Sequence, residues 1–389
     1  MRVFLIAEFF PPMNMIGAVR PYQLAKFLVE KGYEVTVFTS YEDNHSSKDY
    51  LVDFNGIEVV SIAPSKIVSI LDYENPQANK LKILKQISRN ILYPDHFIVK
   101  KNNYLKEINQ YIEKNGIPEI IFSMGLPFSL HCVASSIKSK FPEVKWIADN
   151  RDLWATTTYR RMPMFLRSFD KKYEIKTFQK ADLVLVVTNH MKSAMEQYLK
   201  NKISVVRNGF LEDSVNSSIT IGKNFVYTGG LYGGLRDLTP LLEALCEIQS
   251  IQNLEFYGSD KNVVEGYIQS YPQLKINNNS KLPRDKILEI QNNAEYLIIA
   301  LGKSAFEKGV LTGKFYEYIR ARRPIIALCD EDGELAYLIN KYNLGVATRD
   351  SKKIAKFILN NQKQYTSVPH ELTSNYQFEN LLTILNESD

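Results

Sequence analysis

The chain has little cysteine and no long apolar run. Its 389 residues include three widely spaced cysteines, Cys132, Cys246 and Cys329. They form neither a disulfide framework nor a metal-ligand pattern, so we expect a protein of a reducing compartment, the cytoplasm. No apolar run reaches the roughly 18 residues that a membrane-spanning helix needs. The apolar residues 1–7 are too few for a signal peptide, and we interpret them as a buried strand.

The sequence also lacks short-period repeats and low-complexity tracts. Hydrophobic residues make up 45% and charged residues 23%, which is typical of a globular protein and excludes disorder, collagen and coiled coil. A length of 389 residues exceeds one ordinary core and predicts two domains. The net charge of +5 suits anionic ligands. The basic residues are not interleaved with aromatic ones, which argues against nucleic acid as a partner.

Basic residues are concentrated between Lys80 and Lys106, where seven of them accompany a single acid, Asp95. Apolar residues are threaded among them, which is typical of an amphipathic segment on an anionic membrane. One interpretation is peripheral contact with the inner face of the plasma membrane through residues 80–106. The other, which we favour, is an ordinary surface helix that packs on its own domain.

Short β-rich runs alternate with helical patterns along the whole chain. Most of the runs are continuously apolar, which favours parallel strands that are covered on both faces. The predicted strands are Val3–Ala7, Val35–Phe38, Glu119–Phe122, Lys145–Ala148, Leu183–Val187, Ser204–Val206, Phe225–Tyr227, Leu254–Tyr257, Tyr296–Ala300, Ile325–Leu328 and Gly345–Ala347. This alternation predicts an α/β fold with doubly wound parallel sheets.

The alternation restarts after a polar stretch near residue 210. We therefore predict an N-terminal domain over residues 1–205, a linker over 206–221 and a C-terminal domain over 222–365. A last helix over 371–386 follows the final predicted strand and is a candidate to cross back to the first domain.

In parallel sheets, ligands bind beyond the carboxyl ends of the strands, so the residues that follow each strand are candidates for a site. Gly17 lies in a loop that opens a helix, where amides can meet an anion, although a structural turn also explains this glycine. Asp149, Arg151 and Asp152 follow a buried strand, where charges are either functional or paired in a structural salt-bridge cluster.

A second loop, Gly309–Gly313, also enters a helix and presents amides to phosphate. Lys314 adds positive charge. Glu317, one turn further along, can accept hydrogen bonds from paired hydroxyls such as those of a ribose. The alternative is a solvent-exposed helix start.

Taken in order, these clusters resemble the retaining glycosyltransferases of family 4, which have the GT-B fold. The similarity covers nearly the whole chain and is carried by "FFPPMNMIGAVRPYQLAKFLVEKGYEVTVFTS", "FVYTGGLYGGLRDLTPLLEAL" and "GVLTGKFYEYIRARRPIIA". The motifs "ILYPD" and "ADNRDLW" are similar to a subgroup used in bacterial surface-polysaccharide assembly. The resemblance implies two Rossmann-like domains that face each other across a cleft, with the acceptor on residues 1–205 and the nucleotide sugar on 222–365.

The resemblance further implies transfer of a hexosyl or N-acetylhexosaminyl group from a nucleotide-diphosphate sugar to a saccharide or lipid-linked saccharide. It implies no cofactor and no metal. Stabilisation of the leaving diphosphate would carry catalysis without a protein nucleophile. Asp149, or else Asp152, would position the acceptor hydroxyl with Arg151 nearby. The implied donor-binding residues are Gly17, Gly230, Arg236, Val310, Leu311, Thr312, Lys314 and Glu317.

Some residues depart from the family pattern, and others suggest a different kind of site. The family commonly has a glutamate eight positions before Glu317, where this chain has Gly309, and Lys303 or Lys314 is the candidate replacement. The DxD sequence 330–332 is a metal signature of another glycosyltransferase fold, but we interpret it as a helix start. For His131 and His190 we favour packing or capping roles over catalysis.

Two other functions remain open. A sugar-nucleotide 2-epimerase shares the fold, but it would act on the sugar ring of the donor without an acceptor. A catalytically silent sugar-nucleotide-binding protein is also compatible, because the upstream glutamate is missing.

Overall fold

The computed structural model describes residues 1–13, 16–40, 53–63, 92–156, 164–211, 222–250, 252–360, 366 and 368–387. The chain divides into two compact units: Met1–Arg207 with Phe378–Asp389, and Asn208–Gln377. Several parts of the sequence predictions lie outside the described residues. They are 80–91 of the basic segment, 212–221 of the linker, 251 and 361–365 of the second domain, and 14–15, 41–52, 64–79 and 157–163 of the first domain.

The first unit is built on a parallel sheet in which most strands are buried. The strands are β1 (Arg2–Ile6), β2 (Glu34–Ser40), β3 (Ile57–Ile62), β4 (Ile120–Gly125), β5 (Lys145–Asn150), β6 (Leu183–Val186) and β7 (Ile203–Val205). Their order is β3-β2-β1-β4-β5-β6-β7, and every neighbouring pair is parallel. The described helices are α1 (Ile16–Glu30), α2 (Lys101–Asn115), α3 (Ser129–Lys140), α4 (Met164–Phe178) and α5 (Asn189–Glu196).

The second unit repeats this plan. Its strands are β8 (Asn224–Thr228), β9 (Asn253–Tyr257), β10 (Lys275–Asn279), β11 (Tyr296–Ala300), β12 (Ile325–Leu328) and β13 (Gly345–Ala347). They pair in parallel in the order β10-β9-β8-β11-β12-β13. The helices that follow along the chain are α6 (Thr239–Glu247), α7 (Lys261–Ser270), α8 (Arg284–Asn292), α9 (Gly313–Ala321), α10 (Glu334–Lys341), α11 (Ser351–Asn360) and α12 (Ser374–Asn386).

Helix α12 carries the end of the chain into the core of the first unit. Phe378, Leu381 and Leu385 belong to the apolar cluster that also contains Phe27 of α1, and the Phe27 and Phe378 rings lie 5.5 Å apart between centroids. Burying three large side chains supplies roughly 5 kcal/mol or more of apolar transfer free energy. The helix is therefore held by packing.

Two edge strands, β3 and β10, are absent from the sequence predictions. Both lie at the outer edge of their sheet, and β10 has the sequence "KINNN", in which Ile276 is buried. Most residues of these two strands are not buried, so neither strand needs the continuous apolar run that revealed the central strands. The predicted α/β class, with two Rossmann-like doubly wound parallel sheets, is confirmed by both strand orders.

Candidate active site

Each sheet reverses its strand order once, between β1 and β4 in the first unit and between β8 and β11 in the second. In open parallel sheets, ligands bind at such a switch point, beyond the carboxyl ends of the strands. The predicted residues lie near these ends. Asp149 is at the end of β5 in the first unit, and Gly230 follows β8 in the second.

Gly17 lies in the first turn of α1. A Cβ atom at this position would lie 3.1 Å from Cδ2 of the Phe9 ring, which is tighter than ordinary van der Waals contact. Its carbonyl oxygen accepts a hydrogen bond from Nη1 of Arg151 at 3.4 Å. Packing around Phe9 is thus a structural reason for this glycine, and its approach to a donor diphosphate stays a prediction.

Asp149 is fully buried and forms a bidentate ion pair with Arg20 of α1. Arg20 donates from Nε to Oδ2 at 2.8 Å and from Nη2 to Oδ1 at 2.9 Å. The same guanidinium donates to the carbonyl oxygens of Val206 and Arg207, at 3.2 and 2.7 Å. Two buried charges are tolerated when their hydrogen bonds are satisfied in this way. Both oxygens of Asp149 are therefore engaged by Arg20, and an action on an acceptor hydroxyl stays a prediction.

Arg151 and Asp152 continue the chain beyond β5. Arg151 is half-buried, and its Nε donates to the carbonyl oxygen of Gly125 at 2.6 Å. Asp149 and Arg151 thus both contact the beginning of α1. Asp152 is exposed as a residue, but burial of its carboxyl group raises its pKa, against the lowering effect of Arg151.

A second buried ion pair follows β1 and was not predicted. Glu8 accepts from Lys100 Nζ at 2.7 Å and from the Tyr104 hydroxyl at 3.0 Å. Lys100 is 2% exposed, so this lysine of the predicted membrane-facing segment lies inside the protein, which corrects that part of the prediction. Glu8 and Lys100 are 92 residues apart, and no local pattern in the sequence marks the pair.

His131 is fully buried at the start of α3. Its Nδ1 lies 2.8 Å from the Ser123 hydroxyl, which also accepts from Trp146 Nε1 at 2.8 Å. Burial lowers the pKa of His131 to about 3, so the imidazole is neutral at physiological pH. This environment suits a packed side chain. His190 is half-buried in the first turn of α5, where the Thr188 hydroxyl caps the helix.

Like Asp170 on the same helix, Glu174 of α4 is a further buried acid of the first unit that the sequence did not indicate. Its Oε2 accepts from the amide of Ala155 and from the Tyr198 hydroxyl, both at 3.1 Å. Burial raises the pKa of Glu174 to about 7. The side chain therefore fastens the segment after β5 to α4 and titrates near neutrality.

In the second unit, the predicted phosphate-binding loop leads into α9 through Thr312, whose backbone is extended at φ −76° and ψ 154°. The first amides of a helix have no acceptor within it and form an anion-binding group. The amide of Val310 already donates to the Glu307 carbonyl oxygen at 3.1 Å. Among the described residues, the amides of Leu311 and Thr312 have no acceptor, so they are open to a ligand.

Lys314 lies in the first turn of α9 against the aromatic ring of Tyr227. Its Nζ is 4.2 Å from the ring centroid. A Cβ atom on Gly229, which has φ +95°, would lie 3.2 Å from Cε and Nζ of this lysine, so a larger residue would displace it. Burial lowers the pKa of Lys314 to about 7, with a further lowering by the charge of Arg236, while Glu317 acts in the opposite direction.

Arg236 acts on the same tyrosine from the loop after β8. Its guanidinium carbon lies 4.5 Å from the ring centroid of Tyr232, and, while burial raises the pKa of the Tyr227 hydroxyl, the charge of this arginine lowers it. That hydroxyl also donates to the Gly230 carbonyl oxygen at 2.9 Å. The structure thus brings together Arg236, Gly230 and Lys314, three of the predicted donor-binding residues, around Tyr227.

Glu317 is one turn further along α9. Oε1 lies 3.1 Å from Nη2 of Arg284, and Oε2 accepts from Nε2 of Gln291 at 3.1 Å. Arg284 and Gln291 both belong to α8 and were not predicted. They are seven residues apart, which places them on one helix face, and this spacing is the signal that could have indicated them.

The acidic sequence 330–332 does not converge on one point. Glu331 pairs with Lys353 at 2.7 Å, and Asp332 pairs with Lys308 at 2.7 Å. Asp330 lies 4.0 Å from Arg349. Within the described ranges, no group of three or more histidine, cysteine, aspartate or glutamate side chains could hold a metal ion. The proposed replacement Lys303 pairs with Asp237 at 3.2 Å.

The described helices also bear on membrane insertion. None of them combines the length and the apolar character that crossing a bilayer would require.

Comparisons with known proteins place these features in a family. The profile of Glycosyltransferase Family 4 matches residues 17–211, which is half of the 389-residue chain. No curated protein matches the chain in sequence.

Solved structures with the same fold are distant in sequence. Sucrose-phosphate synthase from Thermosynechococcus elongatus superposes with a TM-score of 0.65 at 14% identity, and 100% of each chain is covered. A glycosyltransferase from Rickettsia africae ESF-5 superposes with a TM-score of 0.64 at 15% identity, and the match covers 100% of this chain and 98% of the Rickettsia chain. Anabaena HepE in complex with UDP and glucose gives 0.58 at 12% identity, with 100% of each chain covered. The family profile and the two parallel sheets agree: this chain belongs to Glycosyltransferase Family 4 and has the GT-B fold.

Proposed function

We propose that the protein is a retaining glycosyltransferase of bacterial polysaccharide or glycan assembly. It moves a hexosyl or N-acetylhexosaminyl group from a nucleotide-diphosphate sugar to a saccharide or lipid-linked saccharide. The observation that carries this proposal is the pair Lys314 and Arg236 beside the start of α9. Two neighbouring cations repel each other, and the pKa of Lys314 falls to about 7 as a result of burial and this repulsion. A bound diphosphate would neutralise both.

The donor would be held in the second unit by groups around the start of α9 and Tyr227. The amides of Leu311 and Thr312, Lys314 and Arg236 would contact the diphosphate, and Glu317 would accept from the ribose hydroxyls. When the bond between the sugar and the diphosphate breaks, negative charge develops on the leaving group. Fixed amides and cations near that charge lower the barrier without a protein nucleophile. The complex of Anabaena HepE with UDP and glucose supports a nucleoside diphosphate in this role.

The acceptor would bind in the first unit, where Asp149 or Asp152 would position the hydroxyl that attacks the sugar. The bidentate bond of Asp149 to Arg20 favours a role in orienting neighbouring groups. Exposure favours Asp152 as the side chain that reaches the acceptor. The leaving diphosphate can take the proton of the hydroxyl. Metal-independent action is supported by the separate cation partners of Glu331 and Asp332.

We further propose that the protein attaches peripherally to the cytoplasmic face of an anionic membrane. The exposed face of α4 supports this attachment. Both described acids of this helix, Asp170 and Glu174, are buried, and Phe169 is 58% exposed. Its four exposed cations have no carboxylate partner among the described residues: Arg167, Lys171, Lys172 and Lys176. A cationic helix face with an exposed aromatic ring suits an anionic lipid surface.

Vesicle sedimentation tests the membrane proposal. The protein should bind vesicles of phosphatidylglycerol and phosphatidylcholine at low salt, less so at high salt, and the double variant K172E/K176E should bind less. The matched control is K352E/K356E on α11, because Lys352 and Lys356 are also exposed lysines four residues apart. Equal binding by both double variants would contradict the use of α4.

A thermal-shift screen of sugar nucleotides tests the donor proposal, because a ligand of the folded state raises the melting temperature. A matching nucleotide sugar should raise it for the wild type and not for Lys314→Met. Lys308→Met is the control, since Lys308 pairs with Asp332 on the surface. The donor is then incubated without acceptor. An epimerase would produce a new sugar nucleotide, and a silent binding protein would show no turnover with any acceptor.

A further inference from the structure

One face of the second sheet is polar at the end that β9 and β10 form. Side chains alternate between the two faces along each strand. Leu254, Phe256 and Ile276 lie on the face that packs into an apolar cluster. The residues between them point to the other face and form two neighbouring rows, which are Asn253, Glu255 and Tyr257 on β9, and Lys275, Asn277 and Asn279 on β10. Polar side chains therefore occupy a face that a fully covered sheet fills with apolar ones.

Glu255 joins the two rows into one array. It is 8% exposed, and both of its carboxylate oxygens are engaged. Oε1 accepts from Nδ2 of Asn277 at 2.8 Å, and Oε2 accepts from Nδ2 of Asn279 at 2.9 Å. Each amide group thereby gives one N–H to the carboxylate and keeps a second N–H and its carbonyl oxygen. Asn279 is also the neighbour of Tyr257 in the strand register. Fixed donors and acceptors thus lie next to an aromatic ring.

The polar face continues into an open cavity between β8, β9 and α8. Its volume is about 400 Å³, which is within the size range of small-ligand sites. Val226 and Tyr257 line it from the sheet, and Lys286, Glu289 and Asn293 line it from the helical side. Val226 is the register neighbour of Glu255. The cavity and the two polar rows therefore form one continuous surface.

This cavity lies on the side of α8 that is turned away from the predicted donor-binding residues. Lys286 and Asn293, seven residues apart, line the cavity. Arg284 and Gln291, also seven residues apart, contact Glu317 of α9. The two pairs are offset by two residues, which is about 200° around a helix with 3.6 residues per turn. They are therefore on opposite faces of the helix, and the cavity is separate from the donor site.

The charges of this surface indicate a neutral ligand. The carboxylates of Glu255 and Glu289 are balanced by the ammonium groups of Lys275 and Lys286, and Lys286 pairs with Glu289 at 3.1 Å. An anionic group would meet the buried carboxylate, and an apolar chain would leave the asparagine amides without hydrogen bonds. A sugar hydroxyl both donates and accepts, which matches an amide beside a carboxylate. The apolar face of a sugar ring can pack on the aromatic ring of Tyr257.

We propose that this surface is a second saccharide-binding site, separate from the donor site, which binds a neutral oligosaccharide. One sugar ring packs on Tyr257 in the cavity, and Asn277 and Asn279 bind hydroxyl groups of the next sugar. The site takes no part in the transfer reaction. An enzyme held on a saccharide chain in this way meets further acceptor groups at a raised effective concentration. Only this last use rests on the function proposed above.

The experiment measures binding of four neutral hexasaccharides to the whole chain by calorimetry. They are maltohexaose, cellohexaose, mannohexaose and N-acetylchitohexaose, and hexagalacturonate is the acidic comparison. At least one neutral saccharide should bind, and hexagalacturonate should bind more weakly. The double variant N277A/N279A should lose about tenfold in affinity, because each lost hydrogen bond costs several-fold. The matched control is Asn278→Ala, since Asn278 lies between the two on β10 and points to the opposite face.

A second variant tests the cavity wall without touching the partners of Glu255. Glu289→Ala removes an exposed side chain and should weaken binding by roughly threefold. Glu265→Ala should bind as the wild type does, because Glu265 is also a surface glutamate paired with a lysine of its own helix. An unchanged melting temperature shows that a variant is folded, and if the double variant is unfolded, Glu289→Ala decides.

Three results would overturn the proposal while the donor function stands. The first is that none of the neutral saccharides binds. The second is that Asn278→Ala weakens binding as much as the double variant does, or that Glu289→Ala leaves it unchanged. The third is that UDP, GDP or ADP displaces the saccharide, which would place it in the donor site.

Discussion

Donor binding should be coupled to the protonation of Lys314. In the empty site, burial and the nearby charge of Arg236 lower the pKa of this lysine to about 7. A bound diphosphate places negative charge beside the ammonium group and favours the charged form, so the pKa rises on binding. The protonated site is the one that binds. Affinity is therefore fully present below pH 7 and is lost as the pH rises through the pKa of the empty site.

The loss of affinity follows from the difference between the pH and the pKa of Lys314 in the empty site. At pH 8.5, about 1.5 units above the pKa, roughly 3% of empty sites carry the proton, so binding should be about thirtyfold weaker than at pH 6, or ~2 kcal/mol. Each further pH unit costs about tenfold. A sugar nucleotide is the right ligand, because its diphosphate has no protonation step in this range.

Calorimetry measures this coupling directly. At pH 8 in buffers of different ionisation enthalpy, binding should take up close to one proton, and at pH 6 almost none. Lys314→Arg should remove the pH dependence, because arginine keeps its charge at all these values. Lys308→Arg, a change at an exposed lysine, should behave as the wild type does. A wild-type affinity that stays flat between pH 7 and 9 would refute the reasoning.

Three further predictions concern the first unit and the acidic sequence. Asp149→Ala should destabilise the fold by roughly 3–5 kcal/mol in denaturant unfolding, since it leaves Arg20 buried without a partner; near-normal turnover of the milder Asp149→Asn would remove Asp149 from catalysis. Because burial raises the pKa of Glu174 to about 7, wild-type stability should fall by about 3 kcal/mol relative to Glu174→Gln as the pH rises from 4.5 to 7, and parallel pH profiles would contradict this. Turnover should survive EDTA treatment, and loss of activity that magnesium or manganese restores would make the sequence 330–332 a metal site.

The local hydrophobic pattern was sufficient to predict a strand wherever that strand is buried on both faces. The predicted strands Tyr296–Ala300 and Ile325–Leu328 have the same bounds as the fully buried β11 and β12. Gly345–Ala347 also has the bounds of β13, although β13 lies at the edge of its sheet. Buried central strands must be apolar along their whole length, so their sequence reveals them. The edge strands β3 and β10 were not predicted because most of their residues are not buried, so neither needs a continuous apolar run. The predicted last helix, 371–386, also merged two separate elements. In the structure a short 3₁₀ turn, His370–Leu372, precedes α12 and is not continuous with it.

The sequence by itself determined the two-sheet plan, the family and the loop that leads into α9, because these depend on residues close together along the chain. Tertiary structure alone decided which charges are paired. Asp149 meets Arg20 across 129 residues, and Glu8 meets Lys100 across 92. Glu317 meets Arg284 and Gln291 of α8, and only the packing of the two helices brings them together. Such partners are chosen by the way strands and helices pack, and side chains far apart in sequence become neighbours only once the sheet has formed.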